Sequence, residues 1–112
     1  MYTQLASKLG VTTAGGAQYS PAVPMQGNNA FQVEVTVYAL ASGATSVDID
    51  TQGSNDLQNW TTFSSAYNVA AVGYSAPAAR TAVAFQFVRL KYTSNGAGGT
   101  VVLACGVNSA SL

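Results

Sequence analysis

The sequence predicts an all-β fold: a single antiparallel β-sandwich or jelly-roll-like barrel, with an extended N-terminal segment. Three observations carry that prediction. Apolar residues recur with a period of two rather than 3.6, turn formers separate the alternating runs, and no stretch reads as an amphipathic helix. At 112 residues the chain holds one domain, 1–112, large enough to bury a core without a disulfide or metal, and it carries no internal repeat.

Residues 1–30 combine Gly, Pro and small polar residues with little periodicity. "TQLAS" and "AQYSP" suit short edge strands, and the same segment suits an extended arm lying on a neighbouring subunit. Pro21 and Pro24 exclude a regular helix there and favour extended backbone. "FQVEVTVYAL" follows, with Phe31, Val33, Val35, Val37 and Ala39 on one face and Gln32, Glu34, Thr36, Tyr38 and Leu40 on the other. A turn around Gly43 leads into "SVDIDTQ", with Val47 and Ile49 inward and Asp48 and Asp50 outward, and the two runs read as a hairpin.

"WTTFSSAYNVA" is a shorter, less regular strand, and "AVGYSAPAAR" reads as a connection through Gly73 and Pro77. In "TAVAFQFVRLKYTS", Phe85 and Phe87 occupy one phase and Val88, Leu90 and Tyr92 the other, so either both faces are covered or a bulge shifts the phase near Phe87. "SNGAGG" supplies an Asn95-Gly96 turn before the closing strand "TVVLACGVNSASL", where Val101, Leu103, Cys105 and Val107 share a phase. These two runs also read as a hairpin.

Charge is the strongest compositional signal. Only 7% of residues are charged, and four basic against four acidic side chains give zero net charge. That leaves no source for counterion release on nucleic acid or attraction to an anionic membrane, so neither is an expected partner. Few charges and no net charge promote association, which points to a life inside an assembly; a secreted domain coated in Ser, Thr, Asn and Gln is the alternative. No run of about 20 apolar residues and no signal peptide is visible, and the lone Cys105 reads as a small buried hydrophobe.

Catalytic chemistry finds little support. There is no His, which removes the commonest general base and metal ligand, and no enzyme activity, cofactor or metal is expected. Asp48 and Asp50 would lie on one strand face with Cα atoms about 6.5 to 7 Å apart, a poor match to carboxylates that must flank a sugar ring. With Asp56 they could offer oxygens to Ca²⁺, but no calcium-loop spacing is present. "GAGG" lacks the Lys-Ser/Thr continuation of a phosphate loop, Arg89 and Lys91 form a small basic patch facing the acidic hairpin, and "NWT" at Asn59–Thr61 matches a glycosylation acceptor by chance.

"GSNDLQNWTT" packs the turn formers Gly53, Ser54, Asn55 and Asp56, the amide of Asn59 and the only tryptophan, Trp60, into ten positions. Asn and Asp side chains can close a tight corner on backbone N–H groups, with Trp60 anchoring that corner to the core's edge. The functional alternative is a sugar site, with an exposed Trp60 as platform and Asn55, Asp56 and Asn59 on hydroxyls.

From Val47 to Phe63, "VDIDTQGSNDLQNWTTF" resembles the strand, GSND-x-x-NW turn and strand of small β-sandwich virion proteins of tailed bacteriophages, of the head decoration or cement type. "FQFVRLKYTSNGAGGTVVLACGV", Phe85 to Val107, is similar to their closing hairpin, where an aromatic-Val-Arg segment precedes a Gly-rich turn. The resemblance implies a non-enzymatic virion structural protein, assembled in the host cytoplasm, that forms a homo-oligomer such as a trimer and packs on the major capsid or another virion protein. Tyr2, Pro21, Pro24, Tyr67 and Tyr74 are the expected interface residues. The alternative is a carbohydrate- or receptor-binding β-sandwich, with Trp60, Tyr67 or Tyr74 as the stacking platform.

Overall fold

The computed structural model describes residues 2–112, apart from the side chains at positions 64 and 65. Among the described residues there are nine strands: β1 (Tyr2–Thr12), β2 (Gln18–Tyr19), β3 (Val23–Pro24), β4 (Ala30–Ala41), β5 (Ala44–Ser54), β6 (Thr61–Val69), β7 (Gly73–Ser75), β8 (Phe87–Gly96) and β9 (Thr100–Ala110). They make two antiparallel sheets, β1-β9-β4-β7 and β2-β8-β5-β6, with β3 also pairing β8. Taking β2 and β3 as one broken edge strand, the chain winds between the sheets as an eight-stranded jelly roll.

The alternating residues meet between the sheets. Phe31, Val33, Val35 and Val37 of β4 and Val101, Leu103, Cys105 and Val107 of β9 face Val47 and Ile49 of β5 and Val88, Leu90 and Tyr92 of β8, all nearly inaccessible to water. β-branched side chains dominate because they fit a pleated, half-buried surface.

Neither the β4–β5 nor the β8–β9 connection is a hairpin, contrary to the sequence expectation. Each carries the chain from one sheet to the other, and among the described residues β5–β6 is the one consecutive pair that shares a ladder. Period two fixes which side chains point inward, and an arch that crosses the core satisfies that pattern as well as a hairpin does. The crossings pack on each other at one end: Ala97 N–H donates to Gly43 O (3.3 Å) and Thr13 N–H to Gly99 O (3.1 Å). Gly99, at φ +88°, has no room for a side chain, since a Cβ there would stand 2.0 Å from Ala41 O.

Other expectations are corrected locally. A register shift between Val37 and Ala39 flips the phase of β4, so Leu40, not Ala39, packs against the core. β8 carries no bulge at Phe87: the strand starts there, and Phe85 precedes it in irregular chain. Residues 2–24 contribute β1, β2 and β3 as edges of this chain's own sheets, the edge-strand alternative of the two that the sequence offered.

All four sheet edges are obstructed. β1 has two register shifts and Lys8 at φ +50°, β7 has three residues, and β2 and β3 have two each beside Pro21 and Pro24. β6 has two register shifts, and its Tyr67 hydroxyl bonds to Ser75 Oγ of β7. Bulges, prolines and short edges block strand-to-strand pairing between molecules.

Candidate functional site

The β5–β6 hairpin turns through "SNDLQN" on hydrogen bonds of its own. Ser54 Oγ accepts from Asp56 N (3.2 Å) and Leu57 N (2.9 Å) and donates to Asp56 Oδ1 (3.0 Å). Asp56 Oδ1 also accepts from Gln58 N (2.9 Å) and Asn59 N (2.8 Å), while Oδ2 takes Asn59 Nδ2 (2.7 Å). The two Asn59 and Gln58 backbone donors, with the Asn59 amide, hold the Asp56 carboxyl well below the usual carboxylate range. Asn55 Oδ1 accepts from Gln86 N (3.0 Å), tying the corner to the segment before β8. Leu57 closes the turn at φ +65°, a conformation that costs an ordinary residue about 1–2 kcal/mol.

Gly53 lies under the Phe85 ring, where a Cβ would come within 2.3 Å of Cδ2. Phe85 stacks at a tilt on Phe63 (5.1 Å), which meets Phe31 edge-on (5.7 Å). This aromatic chain, rather than Trp60, links the corner to the core.

Trp60 departs from its expected place. Its Nε1 donates to Leu57 O (3.3 Å), and its ring lies 4.2 Å from the Arg89 guanidinium, on the outer face of the second sheet. Tyr19 of β2 covers the guanidinium at 4.3 Å, so the cation contacts two aromatic rings. Arg89 Nε donates to Gln52 Oε1 (2.8 Å), and Gln52 Nε2 donates to Thr62 Oγ1 (3.3 Å). A ladder Thr62–Gln52–Arg89–Tyr19 thus spans β6, β5, β8 and β2, and it leaves Gln52 buried although it faces outward.

Further along the same face, Asp48 accepts from Asn68 Nδ2 (2.8 Å) and Asn95 Nδ2 (2.9 Å). Both its oxygens are committed to amides, an arrangement that suits structure better than proton transfer. Among the described residues no group of three or more His, Cys, Asp or Glu could hold a metal ion, and no helix is long and apolar enough to cross a membrane.

The remaining interface candidates fall in separate places. Tyr2 and Tyr74 converge on Glu34 on the outer face of the first sheet: Tyr74 Oη donates to Glu34 Oε1 (3.0 Å), and the Tyr2 ring crosses β9 at Gly106. The Glu34 hydrogen bond pushes the Tyr74 hydroxyl up, and partial burial with the Glu34 charge pushes Tyr2 up. Tyr67 lines a crevice of about 100 Å³ with Phe31, Ile49, Pro77 and Arg80, smaller than the ~300 Å³ at which small-molecule sites begin. Pro21 and Pro24 are exposed on the β2/β3 edge.

Sequence reasoning missed Tyr19 and Gln52 and gave Arg89 no aromatic partners. One signal pointed to Arg89: it is one of only four cations, placed between the inward-facing Val88 and Leu90 on the outward phase of its strand. Its neighbours come from β2 and the β5–β6 corner, which only the fold brings together. Compared with protein-family models and with curated protein sequences, the chain matches none.

Proposed function

We propose that the protein is a non-enzymatic structural subunit of a virion, of the capsid decoration or cement type, that stabilises an assembled shell by packing its faces on copies of itself and on a shell protein. One observation carries the reading. All four edges are obstructed, while both outer faces present aromatic side chains, with Tyr2 and Tyr74 on one and Tyr19 and Trp60 on the other, in a chain with only eight charges. Aromatic and Arg side chains on flat, weakly charged surfaces are the composition of protein interfaces. A subunit that binds the assembled state in preference to its parts stabilises that state by mass action.

The carbohydrate reading has less support. Both Asp56 oxygens, Asn55 Oδ1 and Asn59 Nδ2 already serve the corner, and one contact of the Trp60 ring is taken by Arg89.

The test is to purify virus particles from a culture that makes the protein and from one in which its gene is deleted. The protein is expected in the particles at fixed stoichiometry, and particles lacking it are expected to break at lower temperature. A protein absent from the particles, monomeric, and showing Trp60 fluorescence quenched by an oligosaccharide overturns the proposal in favour of sugar binding.

A further inference from the structure

Half of the chain's charges lie on one surface. Of the eight, Asp48, Asp50, Arg89 and Lys91 project from the outer face of the second sheet, with both acids on β5 and both bases on β8. In register, Asp50 stands opposite Lys91, Gln52 opposite Arg89 and Asp48 opposite Thr93. Asp48 is held by two amides, but among the described residues the side chains of Asp50 and Lys91 make no hydrogen bond or ion pair.

Arg89 is the most constrained of the four. Its guanidinium lies against Tyr19 and Trp60, and Nε is taken by Gln52, leaving the terminal amino groups without an acceptor among the described residues. A guanidinium held in this way has already lost much of its rotamer freedom, and its planar fork matches a carboxylate.

We infer that this face is a two-fold interface with a second copy of the same chain, in which Asp50 of each copy meets Lys91 and Arg89 of the other. The symmetry follows from the pattern. A two-fold axis in the plane of contact, parallel to the strands and between β5 and β8, lays each acidic β5 over the other copy's basic β8 at unchanged register. The patch is therefore self-complementary, with Asp50 directly over Lys91 and diagonal to Arg89. Three strands of about ten residues, β6, β5 and β8, spaced about 4.8 Å apart with the two-residue β2 beside them, give a footprint of about 500 Å² per copy, or about 1,000 Å² in total, the lower bound for a specific pairing. Tyr19, Trp60 and Arg89 are the residue types that dominate such contacts.

This inference rests on the packing role proposed above and fails separately from it. Asp50→Lys and Lys91→Asp each place like charges directly across the β5–β8 ladder, a modest cost on a face open to water, so both variants are expected to fold; circular dichroism and thermal melting check that they do. Sedimentation equilibrium of the wild type is expected to show a dimer that weakens with added salt, and each reversal is expected to weaken it by about tenfold or more. An equimolar mixture of the two variants is expected to pair again, because the plus-rich face of one meets the minus-rich face of the other. Arg89→Gln is expected to weaken the dimer and change the Trp60 emission. A wild type that stays monomeric, reversals that leave association unchanged, or a mixture that fails to pair overturns the two-fold interface. A protein that fails in this way yet still enters particles loses the pairing and keeps the packing role.

Discussion

Replacing Gly53 with Ala tests whether the aromatic chain, and not the tryptophan, anchors the corner. The new Cβ would lie 2.3 Å from Phe85 Cδ2 and 2.4 Å from Cγ. Carbon atoms settle at about 3.5–4.0 Å, so the ring must retreat by more than about 1 Å. It cannot do so alone, since Phe85 packs on Phe63 and Phe63 on the buried Phe31. Overpacking of this kind costs about 1–3 kcal/mol, offset by the ~0.5–1 kcal/mol that Ala gains over Gly in a strand. The net loss is about 0.5–2 kcal/mol, a fall in Tm of roughly 2–16 °C for a domain of this size. Urea and thermal unfolding of Gly53→Ala, Phe85→Ala and the double variant measure it. With the ring removed, Gly53→Ala is expected to be neutral or stabilising. An equal cost in both backgrounds would refute the assignment, because residues in contact must couple.

The crossing glycines are less forgiving. Gly99→Ala and Gly96→Ala push a Cβ to 2.0 Å and 2.3 Å from backbone carbonyl oxygens at positive φ, and each is expected to cost about 3 kcal/mol or more in denaturant titration. Tyr92 Oη is buried near Cys105 and Ser20 without a well-aligned hydrogen bond, and burial raises its pKa; Tyr92→Phe is expected to match or exceed wild-type stability by up to about 1 kcal/mol. Burial pushes the Cys105 thiol up to about 12, so it should resist a disulfide reagent at pH 8 in the native state and react once denaturant unfolds the chain. The Asp56 pKa is lower folded than unfolded, so its stabilisation is present above about pH 4 and lost as pH falls through the folded value; Asp56→Asn should melt earlier at pH 7, with the gap closing towards pH 2.

The inward-facing residues of β5 and β9, and those of β4 as far as Val37, were legible because alternation reports burial directly, whereas Phe85 and Phe87 left the inward phase of β8 open. Sheet membership was not. Ser42–Gly43 and the Gly96–Gly99 run look like hairpin turns locally, and only their mutual packing, Gly99 against Ala41 and Gly96 against Gly43, shows that they are arches. The corner's hydrogen bonds were legible from Ser54 and Asp56, since those side chains act within a few residues of themselves, whereas Asn55 accepts from the distant Gln86 N, a partner that no local pattern names. Trp60 was misplaced because its ring is steered by Arg89, about thirty positions away and two strands across, and no local pattern carries that pairing.

The placement of the eight charges explains how so sparsely charged a sandwich avoids indiscriminate association. Lys8 sits in left-handed backbone on the β1 edge and reaches over the Tyr38 ring (5.8 Å), and Asp56 closes the corner. Glu34 accepts the Tyr74 hydroxyl, and Arg80, bridged through its backbone to Phe31, lines the crevice between β6 and the β7–β8 connection. The other four are paired by sign on the outer face of the second sheet. No charge is left to form a dispersing shell of one sign, so protection against aggregation comes from backbone geometry at the edges. Geometry of that kind blocks strand pairing and does nothing to cover a face. On the proposed packing role, the faces with their exposed tyrosines are where contact between molecules would be directed, and the sign pattern on one of them would set its orientation.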